Sequence, residues 1–227
     1  TPVFRVGLLG SFNGPVYSES FEEGFGIWTN TGDKDWTLRT GRTPTGLTGP
    51  NAAYEGSYYI FVEATASGTS VFSLEADFDL SAYRAAELQF RYHMYGSYTG
   101  TLYVDVFNGA TWDLAVWSLS GQQQSDGDAA WGLATVDLDD YAGNAAIQLR
   151  LRGQTQGISR SDMAIDAIEL SADLITYTLN YTAESGGALS GSASQIVAEG
   201  ESGSAVEAVA DAGYVFVDWS DGATGNP

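Results

Sequence analysis

Residues 89 to 106 read QFRYHMYGSYTGTLYVDV. Two alternating runs flank a Gly-punctuated turn. Leu88, Phe90, Tyr92 and Met94 share one face of the first run; Gln89, Arg91, His93 and Tyr95 share the other. Leu102, Val104 and Val106 likewise oppose Tyr103, Asp105 and Phe107. Side chains on a strand alternate between faces, so period two predicts half-buried strands. YYIFVEA, SVFSLEADFDL, GLATVDL, IQLRLRG and DMAIDAIEL follow the same rule, with Gly, Asn, Asp and Ser between them. Only LSAYRAAEL offers a single turn of helix. Many short strands with turn residues between them predict an all-β antiparallel sandwich.

The composition narrows the partners. Nine Lys and Arg face 29 Asp and Glu, a formal charge of −20, and only Lys34 is a lysine. Such a chain cannot supply the cations that displace counterions from nucleic acid, and it is repelled by anionic lipid. It favours solubility, divalent cations and a salty medium. With no cysteine, disulfides, zinc ribbons and thiol nucleophiles are excluded. No apolar run reaches transmembrane length. TPVFRVGLLG lacks the basic and long apolar regions of a signal peptide, and the chain is expected to be a piece of a longer protein.

Composition shifts near Ser171-Ala172-Asp173. Before it, tryptophans and bulky strands are frequent; after it, Gly, Ala and Ser dominate. The expected organisation is a lead-in or linker over 1–17, a main domain over 18–172 and a small β-rich module over 173–227.

Catalysis finds no foothold. There is no nucleophile elbow, no HExxH and no phosphate-binding loop, and one histidine cannot build a multi-histidine metal site. His93 reads as a strand histidine bonded to a neighbour. Paired acids for glycoside hydrolysis are plentiful, but no pair stands out. Sugar recognition has better material. Trp36, Tyr54, Tyr95, Tyr98 and Trp112 are expected on loops or edges, where rings stack on pyranoses. Arg91, Arg150 and Arg152 all fall on outward faces. If their strands are neighbours, Gln, Arg, His, Tyr and Asp share one surface suited to a hydroxylated or anionic glycan. The competing reading is a cross-strand ladder of Arg with Asp and Glu. The candidate ligand-binding set is Arg91, His93, Tyr95, Arg150, Arg152, Trp36 and Tyr98.

The motif order is informative: FEEGFGIWTN, DKDW, PTGLTGP, GSYYIFVEA, FRYHMYGSYTGTLYVDV, an isolated Trp131, then SDMAIDAIEL. From about Ser18 to Ala172 this resembles a MAM domain, the adhesion module of meprins and receptor tyrosine phosphatases. Tyr92-His93-Met94-Tyr95-Gly96-Ser97 and Met163-Ala164-Ile165-Asp166-Ala167-Ile168 carry the likeness most specifically. It implies a jelly-roll β-sandwich without catalytic activity. Animal members usually carry disulfides; a chain without cysteine points to a bacterial member. Residues 174 to 227 resemble a divergent InlB B-type repeat through Tyr177-Thr178-Leu179-Asn180-Tyr181 and Phe216-Val217-Asp218-Trp219-Ser220-Asp221-Gly222. The repeat stops at Pro227, so a truncated, less stable module with a frayed end is expected.

In a jelly roll the first and last strands meet. That would bring Glu22 and Asp166, which match family positions for a structural cation, to one end of the sandwich, below the Asp33–Asp35 loop and near Asp162. Calcium takes six to eight hard oxygens from separate segments. The expected calcium set is therefore Glu22, Asp33, Asp35, Asp162 and Asp166, against solvated loop acids as the alternative. Asp137-Leu138-Asp139-Asp140 reads as a charged strand end. The expected function is a non-catalytic, calcium-stabilised recognition module, secreted or on the cell surface. It would bind a polysaccharide or glycoprotein and target an attached enzyme or adhesin. Protein–protein adhesion, or docking onto the parent's own catalytic domain, is the second reading; a hydrolase is a remote third. Nucleic acid binding and membrane insertion are not expected.

Overall fold

A computed structural model describes residues 14–64 and 68–226. The chain divides into two compact units at Asp173/Leu174. The first holds β1 (Pro15–Glu19), β2 (Thr29–Asn30), β3 (Thr37–Thr40), β4 (Tyr58–Val62), β5 (Val71–Phe78) and β6 (Tyr83–His93). It continues with β7 (Thr101–Phe107), β8 (Trp112–Ser120), β9 (Gly132–Asp137), β10 (Ile147–Gln154) and β11 (Met163–Leu174). One sheet runs β3-β4-β11-β6-β9, with β1 added to β11; the other runs β2-β5-β10-β7-β8. The pairings of β1 with β11, β10 with β5 and β7, and β6 with β9 are antiparallel, and the result is the jelly-roll sandwich expected.

The core lies between the sheets, where alternation placed it. Leu88 and Phe90 face Leu102, Val104 and Val106 across it, with Ile147, Leu149, Leu151, Met163 and Ile165. All ten are at most 1% exposed. Burying one such side chain contributes about 1.5–3 kcal/mol.

Two non-glycine residues break the strand period. Ala167 takes φ 47° inside β11. Met163 and Ile165 point into the core before it; Ile168 and Leu170 do so after it. One extra residue therefore shifts the phase, as a β-bulge does. β11 pairs with β4 before Ala167 and with β1 after it. Ala115, at φ 55°, belongs to a bulge in β8 that faces Asp105, where the β7–β8 register shifts.

Several expectations change. LSAYRAAEL is a turn and a strand: Tyr83 N–H donates to Leu80 O at 3.0 Å and β6 starts there. Its Ala86 and Leu88 fill the core, so burial on a pleat overrides helix propensity. β8 was not read as a strand; Leu114, 63% exposed, and the bulge at Ala115 spoil its alternation. β9 ends at Asp137 and a short 3-10 turn, Asp139–Tyr141, follows, so the acidic cluster is more than a strand end. Asp139 accepts from Ala86 N–H at 3.0 Å. β1 begins at Pro15, inside the expected lead-in; residues 1–13 lie outside the described ones.

The second unit pairs β12 (Thr176–Asn180) with β14 (Ser194–Ala198), and β13 (Gly187–Ser190) with β15 (Glu207–Ala210). Val206 is its one buried hydrophobic residue among those described. Near its C-terminal end the Asn226 side chain accepts from Ala208 N–H at 2.8 Å and donates to Ala208 O at 2.9 Å. Pro227 lies outside the described residues.

Candidate functional site

The outer face of the β3-β4-β11-β6-β9 sheet is divided. Loops cover one part of it. Asn51 N–H donates to Gly127 O at 2.8 Å, stitching the loop before β4 to the loop before β9. Gly49 N–H reaches Tyr95 O at 2.8 Å, Met94 O accepts Gln123 N–H at 2.8 Å, and Met94 N–H donates to the Gln124 side-chain Oε1 at 2.7 Å. Under this cover Tyr59, Phe61 and Ala164 form a second small core against Trp131.

His93 belongs to this covered part. It is fully buried and meets Trp131 edge-on at 5.4 Å. Alternation put it on the correct face; the covering loop removes it from solvent and keeps it out of the open part of that face. Neither ring nitrogen reaches full hydrogen-bond geometry among the described residues, but the Ala129 backbone carbonyl lies beside the ring as the neighbouring partner. Burial drives its pKa down to about 4, against the Ala129 carbonyl and Asp126. The unfolded chain therefore binds more protons than the folded one between pH 6.5 and 4, and stability is lost as the pH drops through that window. A shift of this size corresponds to roughly 3 kcal/mol. His93→Phe, which keeps the ring contact, should flatten that slope in urea titrations at pH 7, 5.5 and 4.5; an unchanged slope would refute the assignment.

The remaining part of the face is an open groove of about 710 Å³. Gln89 and Arg91 of β6, Leu133 of β9, Glu169 of β11 and Ser18 and Glu19 of β1 line it, with Glu23, Tyr54 and Glu55 from loops. Arg91 lies 4.4 Å over the Tyr54 ring. Such a cation–π stack fixes two long side chains side by side. Tyr54 stays 43% exposed and Leu133 45%, so apolar surface faces the groove. Glu19 is held by Phe21 N–H at 2.7 Å and Tyr17 O–H at 3.1 Å. Burial, then the Glu19 charge, pushes the Tyr17 hydroxyl up to about 12, so it remains a donor.

Arg150 and Arg152 lie elsewhere. β10 belongs to the other sheet, so they share no face with Arg91 or His93, and the combined surface expected from the sequence does not form. They close on Asp105, the residue opposite Arg150 on β7. Asp105 accepts Arg150 Nε at 2.9 Å, Arg152 Nε at 2.8 Å, Arg152 Nη2 at 2.9 Å and Ala115 N–H at 2.8 Å. Burial works to raise the Asp105 pKa, but bonds from Arg152, Ala115 and Arg150 outweigh it and hold it below the ordinary range. The guanidiniums also stack on Trp112 at 3.9 Å and Tyr103 at 4.0 Å. This is the cross-strand ladder, and it leaves neither arginine free. Trp36 is 1% exposed and part of the core. Tyr95 and Tyr98 do not line the groove. Of the expected ligand set, only Arg91 does. Tyr54, one of the loop aromatics, joins it there, and its partnership with Arg91 crosses 37 sequence positions that a period-two pattern cannot connect.

The profile of the MAM domain, meprin/A5/mu, matches residues 20–173, and that of the divergent InlB B-repeat domain matches residues 177–226. The chain belongs to the MAM family. Thyroid hormone-induced protein B of Xenopus laevis is 33% identical over 141 residues, 59% of this chain and 19% of that protein. Neuropilin-1a of Danio rerio is 29% identical over 148 residues, 60% of this chain and 15% of its own length. The chain thus spans less than a fifth of these relatives. Among solved structures, TmCBM61 in complex with β-1,4-galactotriose aligns with a TM-score of 0.49 at 16% identity, over 68% of this chain and 94% of its own. At that level of likeness, function has to be read from the MAM domain's own groove.

The five expected calcium ligands of the MAM domain do not gather into one site. Among the described residues no three His, Asp or Glu side chains converge as a metal set. Asp33 and Asp35 are exposed and flank Lys34, whose backbone bridges to Phe72 of the other sheet. Glu22 and Asp166 both hold the loop before β4. Glu22 Oε1 accepts Ser57 and Tyr58 N–H, each at 2.7 Å. Asp166 Oδ2 accepts Tyr54 N–H at 2.8 Å and Glu55 N–H at 3.3 Å, while Oδ1 accepts Ala167 N–H at 2.8 Å. Burial pushes Asp166 up to about 6, although these three donors favour its charge. Two carboxylates fit part of a calcium shell, which loop carbonyls would have to complete. Asp162 lies four residues upstream, against Ala64 and Thr48. Among the described residues no helix is long and apolar enough to cross a membrane.

Proposed function

We propose that this MAM domain is an extracellular recognition module that binds a neutral, hydroxyl-rich glycan in the Arg91–Tyr54 groove. The observation that carries the reading is the groove itself: a stacked cation–aromatic pair beside exposed Leu133, on a rigid sheet face. Sugar rings present an apolar face to such surfaces and hydroxyls to the polar groups around them. Gln89 and Arg91 supply donors; Glu19, Glu23, Glu55 and Glu169 supply acceptors. Four carboxylates against one guanidinium repel uronates and sulfates, so the anionic glycan open at the sequence level gives way to a neutral one. A structural calcium ion at Glu22 and Asp166 would brace the loop that carries Tyr54. In the longer protein the module would deliver an attached enzyme or adhesin to its glycan, with the B-repeat as a spacer.

Affinity electrophoresis through gels containing neutral or uronate-rich polysaccharides tests this. The expected result is retardation by a neutral polysaccharide, weakened roughly tenfold by Arg91→Ala and by Tyr54→Ala. Retardation by neither class, or retardation equal in both variants, contradicts it. Concentration-dependent sedimentation of the isolated chain would instead favour adhesion.

A further inference from the structure

β11 and β4 pair with Met163 opposite Val62 and Ala164 opposite Phe61. Continuing that register by one step sets Asp162 directly opposite Glu63. Like charges in directly opposed positions repel. Here both are also buried at the atoms that matter. Asp162 is fully buried, and among the described residues neither its Oδ2 nor the buried Glu63 Oε2 has a hydrogen-bond partner. The other two oxygens are engaged: Ala64 N–H donates to Asp162 Oδ1 at 2.8 Å and Thr45 O–H to Glu63 Oε1 at 2.9 Å. The Thr43 hydroxyl lies beside Asp162, but its proton goes to Thr48 O at 2.7 Å. No cationic side chain pairs with either acid among the described residues.

We propose that Asp162 and Glu63 form a cation site, separate from Glu22 and Asp166, that takes a hard divalent ion of the calcium class. A shared proton would satisfy the two bare oxygens but would leave one buried negative charge. A divalent ion cancels both. The Thr43 hydroxyl beside Asp162 gives its proton to Thr48 O and so keeps its lone pairs for an ion, and oxygen is the ligand type such ions prefer. The ion would clamp the loop from Thr43 to Thr48 across the ends of β4 and β11. The inference does not depend on the glycan reading.

The test is a calcium titration of chelator-treated protein at pH 8, read by melting midpoint and by equilibrium dialysis for bound calcium. Calcium should raise the wild-type midpoint, since an ion bound only by the folded state stabilises it. Glu63→Gln should lose one equivalent of bound calcium and the corresponding part of the rise. Asp162→Asn, which keeps the side-chain shape, should lose the same equivalent, whereas Glu22→Gln should retain it. An unchanged calcium stoichiometry in both Glu63→Gln and Asp162→Asn overturns the proposal. So does a higher calcium-free midpoint in those variants with no change in calcium response, which is the behaviour of a shared proton.

Discussion

Asp105→Ala is expected to lower the unfolding free energy by about 3–5 kcal/mol. Asp105 is fully buried between two arginines whose side chains are 18% and 19% exposed. Removing it leaves two guanidiniums facing each other without the carboxylate that joins them. It also strands the Ala115 N–H that the β8 bulge aims at Asp105. In a domain of this size that loss corresponds to a fall in melting midpoint on the order of 10 °C. Urea unfolding of the variant at pH 7 measures it, and a loss below about 1 kcal/mol would show that the ladder is a surface ornament. The pH dependence has a definite sign. The folded pKa of Asp105 is depressed, so its contribution is complete above the unfolded carboxylate value and is lost as pH falls through the folded one. Wild type and variant should therefore converge in acid.

Asp166→Ala should damage stability and recognition together. The substitution leaves three backbone N–H groups, those of Tyr54, Glu55 and Ala167, without their acceptor. Each stranded donor costs about 1–3 kcal/mol when buried, and these are partly buried, so a total of about 2–4 kcal/mol is expected. The groove feels it because Asp166 positions the backbone of Tyr54, whose ring lies under Arg91. Retardation by a neutral polysaccharide should weaken roughly tenfold under conditions where the variant is still fully folded. If calcium sits at Glu22 and Asp166, the variant also loses part of the midpoint drop that a chelator causes in wild type. Full glycan retention in a destabilised variant would separate the loop from the groove and refute the linkage.

The sequence makes individual strand faces legible. Leu88 with Phe90, Leu102 with Val104, and Ile147 with Leu149 went to the core as alternation requires. Alternation says which way a residue points, but not which strand lies beside it. That is why Arg91 and Arg150, both outward, were grouped although they sit on opposite sheets. It also fails at bulges. Ala115 and Ala167 are ordinary alanines in sequence, yet each takes a left-handed backbone and re-aims its neighbours. His93 shows a third limit. Its face was read correctly, but a loop whose path no local pattern reveals was laid over it. The groove combined all three: it needed the sheet order, the Ala167 phase shift that aims Glu169 outward, and a loop to bring Tyr54 to Arg91.

The pairing of β1 with β11 has a mechanical consequence. Pro15 lies opposite Ser171, and Glu19 opposite Ile168. The chain therefore enters and leaves the sandwich at the same end, on neighbouring antiparallel strands. Tension applied between residue 14 and residue 174 does not shear these strands past one another. It peels β1 from β11 one pair at a time, beginning at Pro15. Ser18 and Glu19, beyond Tyr17 along that seam, line the groove. A stretched chain would thus deform the groove before it disturbed the buried layers, so the proposed ligand binding would be the first property to respond to load.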